Sequence, residues 1–379
     1  MKIFFGITAG VFVALLLFWG VYNLGFRENP TVATVSDGGK IVTESILEDV
    51  LKPAEKITPV LSERILGATT YGHFIYFYSL DEKAFRRSTL EGKDKEILLS
   101  DLPGEPLRIV WAPSRERALV LLKTTGDSTL WHTIDLSTKT LVPLKREMSR
   151  IVWDNTGSKI FYQYTDPKTG ERSLNSADPD GNNWKNITNL GTSDFFIAPV
   201  PSNVTVSYWN RPSAREKGSL STVSLTGGSS KTIIHDMLGG DFLWSPAGNK
   251  LIMQSTDSVD PSKIKLSVMN ESGGELQSLD MAQTLVSKAA WSKNGKTLYY
   301  ALPSPFSESA VLPNDYFEKN LHPQDSFWKL DVETRKASRI IELKDITEAY
   351  DATDLFLSAD ESSLYFTDRK SQKLYQIEF

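Results

Sequence analysis

The sequence predicts an all-β protein, a seven-bladed β-propeller of four-stranded antiparallel blades, and three observations support this prediction. A strand–turn–strand unit recurs in seven copies about 42 to 47 residues apart, with one interval of about 66, which matches the period of a four-stranded blade. Most copies are followed by two more strand-like runs. The last copy has one such run, while an extra run stands unpaired before the first copy. A six-bladed ring is the alternative if the first copy is not a blade.

Four copies share one plan: an apolar strand ends in tryptophan, a turn of small and polar residues follows, and a second strand is rich in β-branched and aromatic residues. Their tryptophans are Trp111, Trp153, Trp244 and Trp291. In WSPAGNK, Pro246 presets φ for the turn and Gly248 can take a positive φ. Each copy is therefore predicted to be a β-hairpin whose tryptophan packs between neighbouring blades.

Three further copies keep the hairpin pattern without the tryptophan. FFIAPVPSNVTVSYWN places its anchor near Ala198, DLFLSADESSLYFTD places Leu357 in the tryptophan position, and RILGATTYGHFIYFYS places Gly67 there. The blade anchors are thus predicted near residues 67, 111, 153, 198, 244, 291 and 357.

The closure of the ring is predicted from the two unmatched strands. After the last hairpin only LYQIEF follows, which gives the last blade three strands, and KITPVL at 56–61 precedes the first hairpin. Insertion of 56–61 as the outer strand of the last blade would complete four strands and remove an open sheet edge, which would otherwise favour aggregation.

The N-terminal segment is predicted to anchor the protein in a membrane. Residues 3–24 contain no ionisable group and would span about 33 Å as a helix, against roughly 30 Å of hydrocarbon. Lys2 precedes this run, so the C-terminal body is expected on the extracytoplasmic side of the cytoplasmic membrane. A cleaved signal peptide and a buried soluble helix are the alternatives. The predicted organisation is an anchor at 1–26, a linker with a short helix at 27–54, and the propeller at 55–379.

Composition excludes several classes of function. The chain has 42 Lys and Arg against 47 Asp and Glu, a net charge of -5, so no overall positive field would attract a nucleic acid. Its lack of cysteine excludes disulfides, thiolate–zinc sites and a cysteine nucleophile.

Two of the hairpins carry a family resemblance. WSPAGNKLIM at 244–253 and WSKNGKTLYY at 291–300 are similar to the blade consensus of the TolB and WD40-like (PD40) propellers. NSADPDGNNWKNIT at 175–188 resembles that family's turn from the third to the fourth strand. The resemblance covers 55–379 and implies a fold, without implying a reaction.

No catalytic residue, metal site or cofactor is predicted. The sequence lacks Gly-x-Ser-x-Gly, His-Glu-x-x-His, phosphate-loop and Rossmann motifs, and its four histidines fall in different copies. Carboxylates recur at equivalent positions after the second strands, at Asp81, Asp166, Asp257 and Asp368. We interpret them as hydrogen-bond acceptors in turns; the alternative is an acid and nucleophile pair of a glycosidase.

Candidate binding residues come from the loops. Residues 303–326 form an insertion between second and third strands, for which partner binding, a cap over the channel and disorder are the alternatives. Its aromatic candidates are Phe306, Tyr316 and Phe317. Charged residues that begin the inner strands on the same face are Arg108, Arg150, Asp194, Asp241, Lys288 and Asp354.

These features predict a membrane-tethered, noncatalytic propeller that binds a protein, peptide or glycan outside the cytoplasm, as a scaffold in an envelope assembly. The first alternative is a propeller enzyme, a polysaccharide lyase or glycoside hydrolase that uses loop carboxylates. The second is a propeller that filters access to a hydrolase on another chain. The sequence does not identify the ligand.

Overall fold

The computed structural model describes residues 56–379 except 125, 203 and 320. The predicted anchor (1–26) and linker (27–54) lie outside the described residues. Within the described part of the chain, no helix has the length and apolar character needed to cross a membrane.

Seven antiparallel sheets of four strands form the fold, so the seven-bladed prediction is confirmed. Blade 1 contains β2 (Ile65–Tyr71), β3 (Phe74–Ser79), β4 (Ala84–Thr89) and β5 (Glu96–Ser100), and blade 2 contains β6 (Glu105–Trp111), β7 (Arg117–Lys123), β8 (Thr129–Asp135) and β9 (Thr140–Pro143). Blade 3 contains β10 (Met148–Trp153), β11 (Ile160–Thr165), β12 (Arg172–Ala177) and β13 (Lys185–Gly191). Blade 4 contains β14 (Phe195–Pro199), β15 (Thr205–Asn210), β16 (Lys217–Ser224) and β17 (Lys231–Leu238). Blade 5 contains β18 (Asp241–Trp244), β19 (Lys250–Thr256), β20 (Ile264–Asn270) and β21 (Gln277–Ser278). Blade 6 contains β22 (Ala289–Trp291), β23 (Thr297–Pro303), β24 (Asp325–Asp331) and β25 (Ala337–Arg339). Blade 7 contains β26 (Ala352–Leu357), β27 (Ser363–Asp368), β28 (Leu374–Glu378) and β1 (Ile57–Pro59).

The first strand of each blade lies nearest the centre of the ring. β2 contacts both β6 and β26, β10 contacts β6 and β14, and β22 contacts β26. Apolar side chains pack between successive sheets, for example Trp131 of blade 2 with Ile151 and Tyr162 of blade 3. We call the face on which these first strands begin the insertion face, because residues 303–326 leave the ring there.

The ring closes as predicted from the sequence. β1 pairs antiparallel with β28, with Ile57 opposite Ile377 and Pro59 opposite Tyr375. Ile57 is 1% exposed and belongs to the apolar core of blades 6 and 7. The N-terminal strand thus completes blade 7 and covers the edge that β28 would otherwise expose.

The tryptophans link neighbouring blades. Trp111, Trp153, Trp244 and Trp291 each end the first strand of a blade. The ring nitrogen of Trp153 donates to the carbonyl of Val110 at 2.8 Å, and that of Trp111 donates to the carbonyl of Gly67 at 2.6 Å. Each ring therefore supplies both apolar contact area and a hydrogen bond to the preceding blade, which confirms the predicted packing role.

Blade 1 departs from the tryptophan plan around Gly67. Gly67 does not end the first strand but lies inside β2, at a φ of +62°, where the pairing with β3 shifts register. A Cβ at Gly67 would stand 2.9 Å from Cβ of Ile109 in blade 2, so glycine is required by both the backbone and the close approach. β2 runs on to Tyr71, which pairs with Phe74 across a short turn. Of the other two positions without tryptophan, Ala198 lies in β14 and Leu357 ends β26.

Helical structure in the described residues is short. The helix α1 (Asn314–Glu318) lies in the insertion. Two 3-10 turns, Val286–Lys288 and Leu343–Asp345, precede β22 and follow β25.

Candidate functional site

The insertion packs against the ring as a cap. The carbonyl of Leu312 accepts a hydrogen bond from the Thr256 hydroxyl of blade 5 at 2.6 Å. The Asn314 side chain accepts one from the backbone of Ala214 in blade 4 at 2.8 Å, and Arg369 of blade 7 donates to the carbonyl of Leu321 at 3.1 Å. The insertion therefore joins blades 4, 5 and 7 on the insertion face.

The aromatic candidates of the insertion differ in accessibility. Tyr316, predicted to contact a partner, is fully buried, because its ring packs against Phe306 and the apolar side chains of Leu285 and Leu312. Phe306 is half-buried, and Phe317 is 52% exposed. Of the three, Phe317 presents the most open surface, and Tyr316 serves the packing of the cap.

A buried ionic cluster holds the cap in place. Lys288, which is fully buried, donates to Asp325 at 2.6 Å, to Asp351 at 2.7 Å and to the carbonyl of Ala352 at 2.9 Å. The Tyr316 hydroxyl donates to Asp351 at 2.8 Å. Lys288, predicted to face a ligand, thus serves the junction of blades 6 and 7, since its three donors are used inside the protein.

The other carboxylate oxygen of Asp351 faces two further groups. His322 Nδ1 lies 2.8 Å from it, and Arg369 donates to it at 3.0 Å. Burial by itself would raise the pKa of Asp351, but the charge of Lys288 and these hydrogen bonds hold that pKa below its usual value. Asp351 is therefore ionised, and it is the central residue of the cluster.

At Asp325, unlike at Asp351, the effect of burial on the pKa outweighs that of the neighbouring charge. Burial raises its pKa to about 7 despite the opposing charge of Lys288. Its Oδ1 is buried without a hydrogen-bond partner in the described structure, whereas its Oδ2 accepts from Lys288 and from the backbone of Ala352. The carboxyl group is thus sealed from solvent, being 2% exposed.

A basic cavity lies on the insertion face at blades 2 to 4, away from the contacts made by the cap. Its volume is about 390 Å³. It is lined by five cationic side chains and one carboxylate: Arg108, Lys145, Arg146, Arg150, Arg172 and Asp194. We call it the basic cavity.

The one carboxylate of the basic cavity is already neutralised. Arg150 pairs with both oxygens of Asp194, with Nε at 3.1 Å from Oδ1, and Gln163 donates to the same Oδ1 at 3.1 Å. Burial opposes ionisation of Asp194, but these partners hold its pKa below the usual value. By contrast Arg108, Lys145 and Arg146 form no ion pair with any residue that the structure describes, so the cavity carries excess positive charge.

Arg108 and Asp354 face the centre of the ring from β6 and β26. Both side chains are exposed to solvent, yet the surrounding protein lowers the pKa of Arg108, an effect reinforced by the charge of Arg150. Burial raises the pKa of Asp354, and the charge of Arg108 opposes that rise. Arg108 and Asp354 therefore carry opposite charges that act on each other at the centre of the ring.

Asp241 stands apart from this group. It accepts hydrogen bonds at 3.0 Å from the ring nitrogen of Trp209 and from the backbone of Phe242. Burial raises its pKa to about 6. Because its acceptor capacity is directed at blades 4 and 5, we assign Asp241 to packing.

Three of the four recurrent carboxylates, those of Asp166, Asp257 and Asp368, close turns as we interpreted them. Asp166 accepts from the backbone of Lys168 at 2.7 Å, and Asp257 accepts from that of Val259 at 2.8 Å. The backbone hydrogen bonds hold the pKa of Asp166 below its usual value. The pKa of Asp257 is lowered to about 2, mainly by a hydrogen bond from the Lys265 side chain and then by the backbone hydrogen bonds. Asp368 likewise accepts from the backbone of Ser371 at 2.7 Å. Asp81 differs, because it accepts from the backbone and the side chain of Arg64, which precedes β2.

Sequence reasoning missed half of the basic cavity. Arg108, Arg150 and Asp194 were predicted, but Lys145, Arg146 and Arg172 were not. The run Lys145-Arg146 just before β10 was the available signal, because residues before a first strand reach the same face as Arg150.

Comparisons with known proteins report on the fold. An oligogalacturonate lyase from Vibrio parahaemolyticus superposes with a TM-score of 0.60 at 12% identity, covering 85% of this chain and 93% of the lyase. The chain is a β-propeller protein. The β-propeller fold that the resemblance implied is thereby confirmed. No protein-family profile and no curated relative matches the chain.

Two other solved structures match with lower TM-scores. TolB from Acinetobacter baumannii matches with a TM-score of 0.47 at 15% identity, covering 74% of this chain and 64% of TolB. Tricorn protease matches with a TM-score of 0.41 at 14% identity over 80% of this chain. The chain spans 28% of the length of tricorn protease.

Proposed function

We propose that this propeller is a noncatalytic binding protein that holds an anionic partner at the basic cavity. The observation that carries the proposal is the cavity lining: five cationic side chains face one carboxylate, which Arg150 already neutralises. This local excess of positive charge contrasts with the net charge of -5 of the whole chain. It favours ligands that carry several carboxylates.

The use of the other ionisable groups supports a noncatalytic role. Lys288, Asp325 and Asp351 are sealed beneath the cap and hydrogen-bonded to one another or to Tyr316. Asp166 and Asp257 accept backbone hydrogen bonds in turns. A glycosidase would need two carboxyl groups facing one substrate-sized space, whereas Asp325 and Asp351 are sealed from solvent. The lyase found by comparison shares the fold, which by itself implies no reaction.

Charge removal tests the proposed site. We expect Lys145→Gln with Arg146→Gln to weaken the binding of labelled poly-L-glutamate to the full-length protein about five- to tenfold at low salt, because both cations lie on the rim of the basic cavity. Fluorescence anisotropy in detergent micelles measures the Kd. The affinity of the unmodified protein should fall at high salt, which screens exposed charges.

The matched control removes the same net charge from the opposite face. Lys139→Gln with Lys296→Gln alters two exposed lysines at hairpin turns and should leave the Kd unchanged. If both double variants weaken binding equally, the basic cavity is not the site. If neither poly-L-glutamate nor another polymer that carries several carboxylates binds the unmodified protein, anionic binding is wrong.

The same proposal includes a membrane tether at 3–24 with the propeller on the extracytoplasmic side, in a scaffold of the cell envelope. The uncharged 3–24 run supports it. We expect protease added to spheroplasts to digest the propeller while cytoplasmic control proteins survive. Digestion only after lysis would reverse the orientation, and recovery of intact protein in the soluble fraction would contradict the tether.

A further inference from the structure

A second cavity borders the basic cavity on blade 3. Its volume is about 350 Å³. Its lining combines aromatic, amide and charged side chains: Lys145, Tyr162, Tyr164, Asp166, Glu171, Arg172, Ser173, Asn175, Trp184, Asn186 and Asn189. Lys145 and Arg172 also line the basic cavity. The two cavities are therefore continuous along one surface, and we call the second one the aromatic cavity.

Trp184 is the unusual residue of the aromatic cavity. Its side chain is 61% exposed, whereas the other described tryptophans are buried or half-buried between the blades. It precedes β13, outside the repeated position that links blades. Because its ring does not link blades, one flat aromatic face is accessible at the cavity, and such a face is suited to stacking against the C–H face of a sugar ring.

The polar lining of the aromatic cavity consists of side chains. Asn175 pairs with Tyr162 of β11 and with Asn186 of β13 in the register of the sheet, so the backbone groups of these strands serve the sheet ladder. Asn186 donates to Asn175 at 3.1 Å, and Asn175 donates to Ser173 at 3.0 Å. These bonds orient a row of amides, which can both donate and accept.

This lining discriminates between two kinds of anionic ligand. An extended peptide usually binds a sheet through its main chain at an unpaired strand edge, but the middle of blade 3 offers amides on a paired sheet instead. Sugar hydroxyls match amides because they also donate and accept. The cations at the junction match carboxylates: Arg172 donates to the carbonyl of Thr192 at 2.8 Å, while its Nε is buried with no hydrogen-bond partner among the described residues.

We propose that the two cavities form one groove for an acidic saccharide, a chain of sugars that carry carboxylates. One sugar ring stacks on Trp184 and is bound by the amides of Asn186 and Asn189. The carboxylates pair with Lys145 and Arg172 at the junction, and the chain continues into the basic cavity. This inference rests on the proposed function, because it identifies the class of anion bound there.

Three probes of equal length test the groove: a hexamer of mannuronate, hexaglutamate and neutral maltohexaose, each titrated into the full-length protein by calorimetry. We expect the uronate to bind at least tenfold more tightly than hexaglutamate, and maltohexaose to bind more weakly than the uronate. Trp184→Ala should weaken uronate binding about tenfold without affecting hexaglutamate. Trp184→Phe, which keeps an aromatic face, should retain most of the affinity.

The control variant is Tyr71→Ala, which removes an aromatic side chain of similar exposure, 52%, from the hairpin turn of blade 1. It should leave all three affinities unchanged, and circular dichroism should show that each variant is folded. Because Trp184 is exposed, its removal should not unfold the protein.

The outcomes separate this inference from the proposed function. Equal affinities for the two anionic hexamers, or uronate binding that is indifferent to Trp184→Ala, would overturn the saccharide groove and leave an anionic site. Tight binding of maltohexaose would overturn the requirement for carboxylates. If neither anionic hexamer binds, the proposed function fails and the groove fails with it.

Discussion

Replacement of Lys288 by methionine should lower the free energy of unfolding by about 3–5 kcal/mol. The substitution keeps an unbranched apolar stem but removes the charge that neutralises Asp325 and Asp351, both 2% exposed. Removal of one partner from a buried ion pair leaves an uncompensated charge, and the penalty has this size. Urea denaturation followed by circular dichroism measures the change.

The pH dependence of this loss has a definite sign. Asp325 has a pKa of about 7 in the folded protein, which is above that of an unfolded aspartate. An acid with a raised folded pKa favours the folded state less as pH rises towards that value. Since loss of Lys288 would raise the pKa of Asp325 further, the deficit of Lys288→Met should be smaller at pH 5 than at pH 8.

The control for Lys288→Met is Lys123→Met, which breaks a surface ion pair with Asp127 whose side chains are 44% and 86% exposed. Such pairs contribute little, so the variant should stay within about 0.5 kcal/mol of the unmodified protein. If the two variants are equally stable, the ionic cluster does not hold blades 6 and 7 together.

The second large effect is expected at the closing strand. Ile57→Ala should lower the free energy of unfolding by about 2–4 kcal/mol, because Ile57 is 1% exposed and packs in the core of blades 6 and 7. The weakened β1 should also detach more often and expose the edge of β28, so light scattering on mild heating should rise earlier than in the unmodified protein.

Thr58 provides a matched control within the same strand. It is exposed and lies opposite Gln376, so Thr58→Ala should change the free energy of unfolding by about 0.5 kcal/mol or less. A loss of similar size in both variants would mean that β1 contributes through its backbone bonds alone, contrary to our expectation for Ile57.

Most of the fold could be predicted from the sequence because the repeat is local. Each tryptophan, its turn and the following strand lie within about 16 residues, so the periodicity of one hairpin identifies a blade. Blade 1 departs from this plan: β2 extends to Tyr71 and turns at once into Phe74. The spacing therefore aligned Gly67, which lies at a register shift of β2 and β3, with the tryptophans of the other blades.

The candidate site was harder to predict because burial and pairing there depend on distant segments. Lys288 resembles Arg150 because each lies three residues before the tryptophan of a first strand. However, Asp325 reaches Lys288 from the third strand of the same blade, and Asp351 reaches it from just before blade 7. Trp184 was predicted only as part of a structural turn, since no local pattern states that its ring is uncovered. Lateral neighbours on the sheet, such as Asn175 and Asn186, appear only once the register is known.

The pairing of β1 with β28 has a consequence for biosynthesis. Ile57 leaves the ribosome early, whereas its partner Ile377 is among the last residues described, and a nascent chain emerges N-terminal end first. The first-made strand must therefore wait unpartnered, at sequence distances that slow folding, until the other blades have been translated. Chaperones that bind segment 56–61 during that interval would therefore affect the pairing of β1 with β28, which completes the ring.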